Sequence, residues 1–282
     1  MATGLRPSQP VRPQGLRWFA LAGCAVGLIT AVMLRAPAVW LADAATRISG
    51  QHLVLAGASG TVWRGSAQVV LTGGPTSTDR RALPQRLSWS LSPRLSRERG
   101  LHLRLALQHP RVIEDPLVLS LGLMPLPGSV VLETSPAAPV AQVVLPASAL
   151  GGLGAPWNTL EPRGRMELHL QRLSLGTGSE SSPEPRVQAR MALVGMGSRI
   201  STLPILGHYE LQVQGNGELH LRLSSDPSSA LLLIGQGRWK PGSRVEFRGE
   251  ASAAEGREAA LSNLLNIIGR REGPRSIISM QS

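Results

Sequence analysis

The chain is short of the residues that form disulfides, aromatic cores and lysine-rich surfaces. Its 282 residues include one cysteine, one tyrosine and two phenylalanines, and aromatics total 3%. The lone Cys24 closes no intramolecular disulfide and builds no multi-cysteine zinc cluster. With so few rings, a core must come mainly from Leu, Val, Ala and Ile. Charged residues make up 17%, below the usual value of about a quarter. Lys240 is the sole lysine, so the formal net charge of +11 rests on arginine. Those arginines are spread along the chain. They neither crowd onto one helix nor alternate with aromatics, as they do in a nucleic-acid binder. Nucleic acid is therefore not an expected partner. The arginines read as solvated strand faces with some attraction for anionic lipid or an acidic partner.

Catalytic signatures are missing as well. No phosphate-cradling G-x-x-x-x-G-K-[ST] occurs, and the sole lysine precedes Pro241. No G-x-S-x-G elbow is present. The six histidines (His52, His102, His109, His169, His208 and His220) show neither H-x-H nor H-E-x-x-H spacing. Glu114 and Asp115 are adjacent, so on a strand they would face opposite ways and make a poor acid–base pair; a turn is the expected role. No catalytic residue, cofactor site or metal site is expected, and the chain does not read as an enzyme.

What is present begins with an apolar run. No charge interrupts the chain between Arg17 and Arg35, and Ala36, Ala38 and Leu41 extend its apolar character. A single transmembrane helix over 18–41 is expected. Arg6, Arg12 and Arg17 precede it, and the first acidic residue is Asp43. The excess of positive charge leaves a cytoplasmic tail, 1–17, and sends the rest across the membrane. Trp18 and Trp40 fit the two interfaces. A cleaved signal peptide is the rival reading, with small-residue sites at Ala36-Pro37-Ala38 and Ala42-Asp43-Ala44. Both readings place the body outside the cytoplasm.

Beyond residue 50 the period is two. Leu101, Leu103, Leu105 and Leu107 alternate with His102, Arg104, Ala106 and Gln108, and similar runs recur at 166–171, 187–193, 209–214 and 218–223. The alternation predicts antiparallel strands with one face on a core and one in water. Gly215-Asn216-Gly217 predicts a hairpin with a three-residue loop. Pro125-Leu126-Pro127-Gly128 reads as a turn. The stretch GTGSESSPEP at 176–185 reads as a flexible loop. It leaves room for two related β subdomains, 42–175 and 186–282. A Gly-bounded Trp in each half, at Trp63 and Trp239, would fit a degenerate repeat. Trp63, between Gly60 and Gly65, is expected to pack over glycine backbone. At the C-terminal end Leu261, Leu264, Leu265 and Ile268 form one helical stripe, with Gly269 as the residue that ends it.

Several short motifs resemble, in order, the type II secretion system protein N family. They are the apolar run followed by Pro37 and Trp40-Leu41; Leu53-Val54-Leu55 leading to Gly60-Thr61-Val62-Trp63-Arg64-Gly65; and Leu83-Pro84 with Leu87-Ser88-Trp89. Further on come Leu206-Gly207-His208-Tyr209, then Leu231-Leu232-Leu233-Ile234-Gly235 ahead of Trp239, and the C-terminal helix. The resemblance implies an accessory inner-membrane component of a machine that exports folded proteins through an outer-membrane secretin. It implies a single-pass protein with a periplasmic body that acts by binding alone. The implied partners are the secretin, inner-membrane platform subunits and the inner membrane, with room for a homo-oligomer within a symmetric complex. Gly60, Trp63, Gly65, Trp89, Gly207, Tyr209, Gly235 and Trp239 are the motif positions, with structural roles expected. A membrane-tethered, lipid-handling β protein is the alternative suggested by the Leu-rich strands.

Overall fold

The computed structural model describes residues 14–97, 100–123, 130–134, 141–177, 186–240 and 245–281. It falls into two units, one ending at Ala36 and one opening at Pro37. The first contains α1 (Gln14–Arg35), a helix of 22 residues. Among the described residues no helix is long and apolar enough to cross a membrane. Side chains of the expected anchor, Trp18, Leu21, Leu28, Ile29 and Met33 among them, lie outside that description.

The expected continuous span 18–41 is divided. Pro37 is extended, with φ −68° and ψ 145°, and α2 (Ala38–Ile48) starts behind it. The physical reason is proline chemistry: Pro37 offers no N–H to α1, and the residue before a proline is disfavoured in helical geometry. Ala36 to Leu41 therefore do not prolong α1. Ala38 and Ala42 are buried on α2 instead, which packs on the first strand, while Trp40 is 55% exposed.

Sixteen strands follow among the described residues. The first eight are β1 (Leu53–Gly60), β2 (Arg64–Thr72), β3 (Arg80–Ala82), β4 (Leu87–Ser96), β5 (Gly100–His109), β6 (Ile113–Leu123), β7 (Val130–Thr134) and β8 (Ala141–Pro146). After a 3-10 turn (Ala147–Leu153) and the short α3 (Trp157–Leu160) come β9 (Arg163–Thr177), β10 (Arg186–Gly197), β11 (Gly207–Asn216), β12 (Glu218–Ser225), β13 (Leu231–Trp239) and β14 (Glu246–Ala253). Then α4 (Glu258–Ile268) precedes β15 (Arg270–Glu272) and β16 (Arg275–Gln281).

The architecture is mainly β and antiparallel, as the alternation predicted. Hydrogen-bonded neighbours run almost in chain order, from β1 through β2, β4, β5, β6, β7 and β9 to β14, β16 and β15. β7 pairs with β6 and β9 at one level of the sheet, and β8 pairs with the same two strands at another. The 125–128 turn, and the 176–185 loop apart from Gly176 and Thr177, lie outside the described residues. The strands that flank the loop, β9 and β10, pair from Ser174↔Arg186 to Arg163↔Gly197. Hydrogen bonding is thus continuous from β9 to β10. Glu114 and Asp115 lie on β6 and form no turn.

Among the described residues, three small clusters of buried side chains stand out. Leu261, Leu264 and Leu265 of α4 press on Leu206, Leu231 and Ala251. Ala38 of α2 meets Ala67 and Trp89. Ala149 of the 3-10 turn meets Val69 and Leu83. Each cluster sits where a helix or turn covers the sheet. The helical stripe predicted at the C-terminus is present, but Gly269 does not cap it in a left-handed conformation; its φ is −170°. A side chain there would meet the Ile277 carbonyl oxygen at 2.4 Å, so close strand approach is what requires glycine. The chain then returns to the sheet as β15 and β16, two strands the helical pattern did not announce.

Candidate interaction surfaces

The motif residues assemble into packing sites between strands. Gly65 on β2 lies opposite Trp89 on β4. A Cβ added at Gly65 would sit 2.4 Å from Trp89 Cζ2, so the indole lies directly on the glycine. Trp89 Nε1 donates to the Val62 carbonyl at 3.1 Å, in the turn that holds Trp63. The ring on Gly65 is therefore Trp89, from the neighbouring strand. Cross-strand register decides this, and the local motif does not reveal it. Gly60 ends β1 at φ +92°, where a Cβ would meet the Arg64 carbonyl oxygen at 2.5 Å.

The second half repeats the device with other residues. Gly235 lies under Phe247, whose Cζ would be 2.4 Å from an added Cβ. Gly207 is closed against Ser229, whose hydroxyl donates to the His208 carbonyl and accepts from the His208 amide, both at 3.1 Å. Tyr209 is buried and donates to the Leu231 carbonyl at 3.0 Å. Burial raises its hydroxyl pKa well above the ordinary tyrosine value. Trp239 pairs across from Leu219 at the end of β13, a different setting from the turn that holds Trp63. Sequence reading missed Phe247 and Ser229. Their signal is spatial, a ring or hydroxyl facing a glycine on a neighbouring strand.

These sites do not converge on one cleft. Among the described residues no group of three His, Cys, Asp or Glu is placed to hold a metal. His102, His169 and His220 are separated onto β5, β9 and β12.

The strands at the two ends of the sheet, β1 and β15, carry features that guard an edge. β15 is three exposed residues, two of them arginine. β1 carries a bulge between Ala56 and Ser59. Beside it the Arg86 guanidinium donates to the Gly57 carbonyl at 2.6 Å and the Ser66 carbonyl at 2.8 Å. Short length, charge and bulges all discourage strand addition.

The two faces differ. On the apolar face, between the clusters, Leu103, Leu105, Leu121, Leu211, Leu221 and Leu223 are only partly buried, and Leu101 is 57% exposed. The polar face over β11 to β16 forms a concavity of about 1010 Å³ lined by Gln212, His220, Arg222, Gln236, Arg238 and Arg248, among others.

A continuous antiparallel sheet with a charged concave face and dispersed motif residues defines a β-sheet scaffold protein. The model of type II secretion system (T2SS), protein N, matches residues 51–278, from just before β1 into β16. The chain belongs to that family and is a component of the type II secretion apparatus. No curated protein and no solved structure matches it.

Proposed function

We propose that this chain is a non-catalytic accessory subunit, anchored in the inner membrane by the run between Arg17 and Arg35, whose periplasmic sheet binds the secretin or platform subunits. The observation that carries the reading is the family match, which spans nearly the whole sheet. The uncharged run and the arginines before it support the anchor and its orientation. The dispersed motif residues support a scaffold that acts by contact. The guarded edges favour contact through a face over pairing of strands. In crosslinked cell envelopes, the tagged full chain should recover secretin or platform subunits, and a reporter fused after residue 282 should be active only in the periplasm. Recovery of neither subunit class, or a cytoplasmic reporter, would overturn the reading.

A lipid-handling role has one observation in its favour, the half-exposed leucines between the buried clusters. Mass spectrometry of the purified chain decides it. Stoichiometric co-purifying acyl chains would support the role, and their absence would remove it.

A further inference from the structure

Five strands bring five polar residues into one row. Arg190 on β10 is registered with Gln212 on β11, and Gln212 with Arg222 on β12. Arg222 is registered with Gln236 on β13, and Gln236 with Arg248 on β14. Residues opposite one another in an antiparallel sheet share a face, so the row reads Arg–Gln–Arg–Gln–Arg across the sheet. Neighbouring strands lie about 4.8 Å apart, which spaces the arginines by roughly 9.6 Å.

The charges in the row are not equivalent. Arg190 is tied to Glu210 at 3.2 Å. Among the described residues no carboxylate lies within ion-pair distance of Arg222 or Arg248. The neighbouring arginine on the same face, Arg238, is held by Glu246 at 3.1 Å and Glu218 at 3.8 Å. The uncompensated cations therefore form a line one residue wide. Carboxylates border it on both sides, each tied to an arginine: Glu210 to Arg190 and Glu250 to Arg275 in the next row one way, Glu246 to Arg238 the other. Ile234, 70% exposed, and Ile277 stand in the row of Glu210 and Glu250.

We infer that this row is a docking track for an acidic helical segment of a partner protein. The inference rests on the proposed reading that the chain works by binding other subunits. Three features select that occupant. Carboxylates at helix positions i and i+7 are about 10.5 Å apart, close to the arginine spacing, whereas alternate side chains of a strand repeat at only about 6.8 Å. Arginine pairs with carboxylates through two parallel hydrogen bonds, and the intervening glutamines both donate and accept. Ile234 offers an apolar contact that a protein helix can use. A flat anionic membrane fits less well, because its mobile headgroups present no fixed spacing to match that of the arginines.

The test titrates the full chain, in mild detergent, against a fluorescent helical peptide. The peptide carries glutamates at i, i+7 and i+14 and a leucine on the same side. A scrambled peptide of equal charge and vesicles containing phosphatidylglycerol are the competitors. The ordered peptide should bind tighter than the scrambled one, by about tenfold or more. Arg222→Gln with Arg248→Gln should remove that advantage, while the charge-matched pair Arg94→Gln with Arg104→Gln should leave it within about twofold, since only the first pair loses charge-assisted contacts. A charge-swapped pair, Arg222→Glu with Arg248→Glu, should bind a peptide with lysines in place of the glutamates, which shows the variant is folded. Equal binding of ordered and scrambled peptides, equal loss in both glutamine pairs, or a track-dependent preference for vesicles would each overturn the inference. Envelope crosslinking separates it from the broader reading. If the wild type and the Arg222/Arg248 pair recover secretion subunits equally, the track falls alone. If the wild type recovers none, the broader reading falls, and the peptide titration still decides the track.

Discussion

Trp89 and Gly65 face each other across β2 and β4, with the indole so close that an added Cβ would lie 2.4 Å from Cζ2. The same ring donates its N–H to the Val62 carbonyl, so one side chain pins both the strand pair and the turn before it. The Gly65→Ala chain should lose about 1–3 kcal/mol, the usual cost of overpacking. Denaturant melts read by tryptophan fluorescence check this. An unchanged midpoint would show that the ring moves aside freely.

Phe247 covers Gly235 in the other half of the sheet. Gly235→Ala should also destabilise. In the Phe247→Leu background the same change should cost less, because the smaller side chain yields space. A coupling of about 0.5 kcal/mol or more between the two positions is expected for residues in contact. A double-mutant cycle with additive losses would contradict the packing.

Tyr209 is the chain's only tyrosine, and its buried hydroxyl bonds to the Leu231 carbonyl. Tyr209→Phe should cost about 1–2 kcal/mol, because it strands a buried carbonyl. Burial makes the folded chain hold this proton more tightly than the unfolded chain does. The resulting stability is complete below the ordinary tyrosine pKa of about 10 and is lost as pH rises above it. Tyrosinate absorbance should therefore appear with unfolding and not before it. A smooth titration of the folded chain near the ordinary value would refute this.

Ser276 of β16 is fully buried and donates to the Leu265 carbonyl at 2.5 Å, in the last turn of α4. Ser276→Ala should loosen the helix by about 1–2 kcal/mol. Leu265→Ala, at a position with 0% exposure, should cost more, about 2–5 kcal/mol. Hydrogen exchange along α4 should speed up in both variants. If protection is unchanged, α4 is not held by these contacts.

Much of the fold was legible from local pattern. Tyr209, Leu211 and Val213 alternate with polar residues, and so do Leu219, Leu221 and Leu223; the hairpin they predicted pairs from Tyr209↔Ser225 to Asn216↔Glu218, so Gly215 and Asn216 belong to β11 and the turn closes at Gly217, not over the expected three residues. The stripe at Leu261, Leu264 and Leu265 is the buried face of α4. The division at Pro37 was visible in the residue itself but was outweighed by the apolar character on either side. β15 and β16 escaped because Arg270–Glu272 is too short and charged to show a period.

The interaction surface was far less legible. Arg190, Arg222 and Arg248 are each an unremarkable arginine on the polar phase of a strand. Their alignment is a matter of register across five strands.

By itself the amino-acid order determined which residues form strands, which side of each strand is apolar, and that no disulfide holds the body together. These follow from period-two alternation and from a single cysteine, both of which are local facts. Tertiary structure alone decided which strand lies beside which, and therefore that Trp89 rests on Gly65 and that three arginines stand in one line. A side-chain period of two assigns a face but not a partner, and only hydrogen-bond register between strands distant in the chain supplies the second.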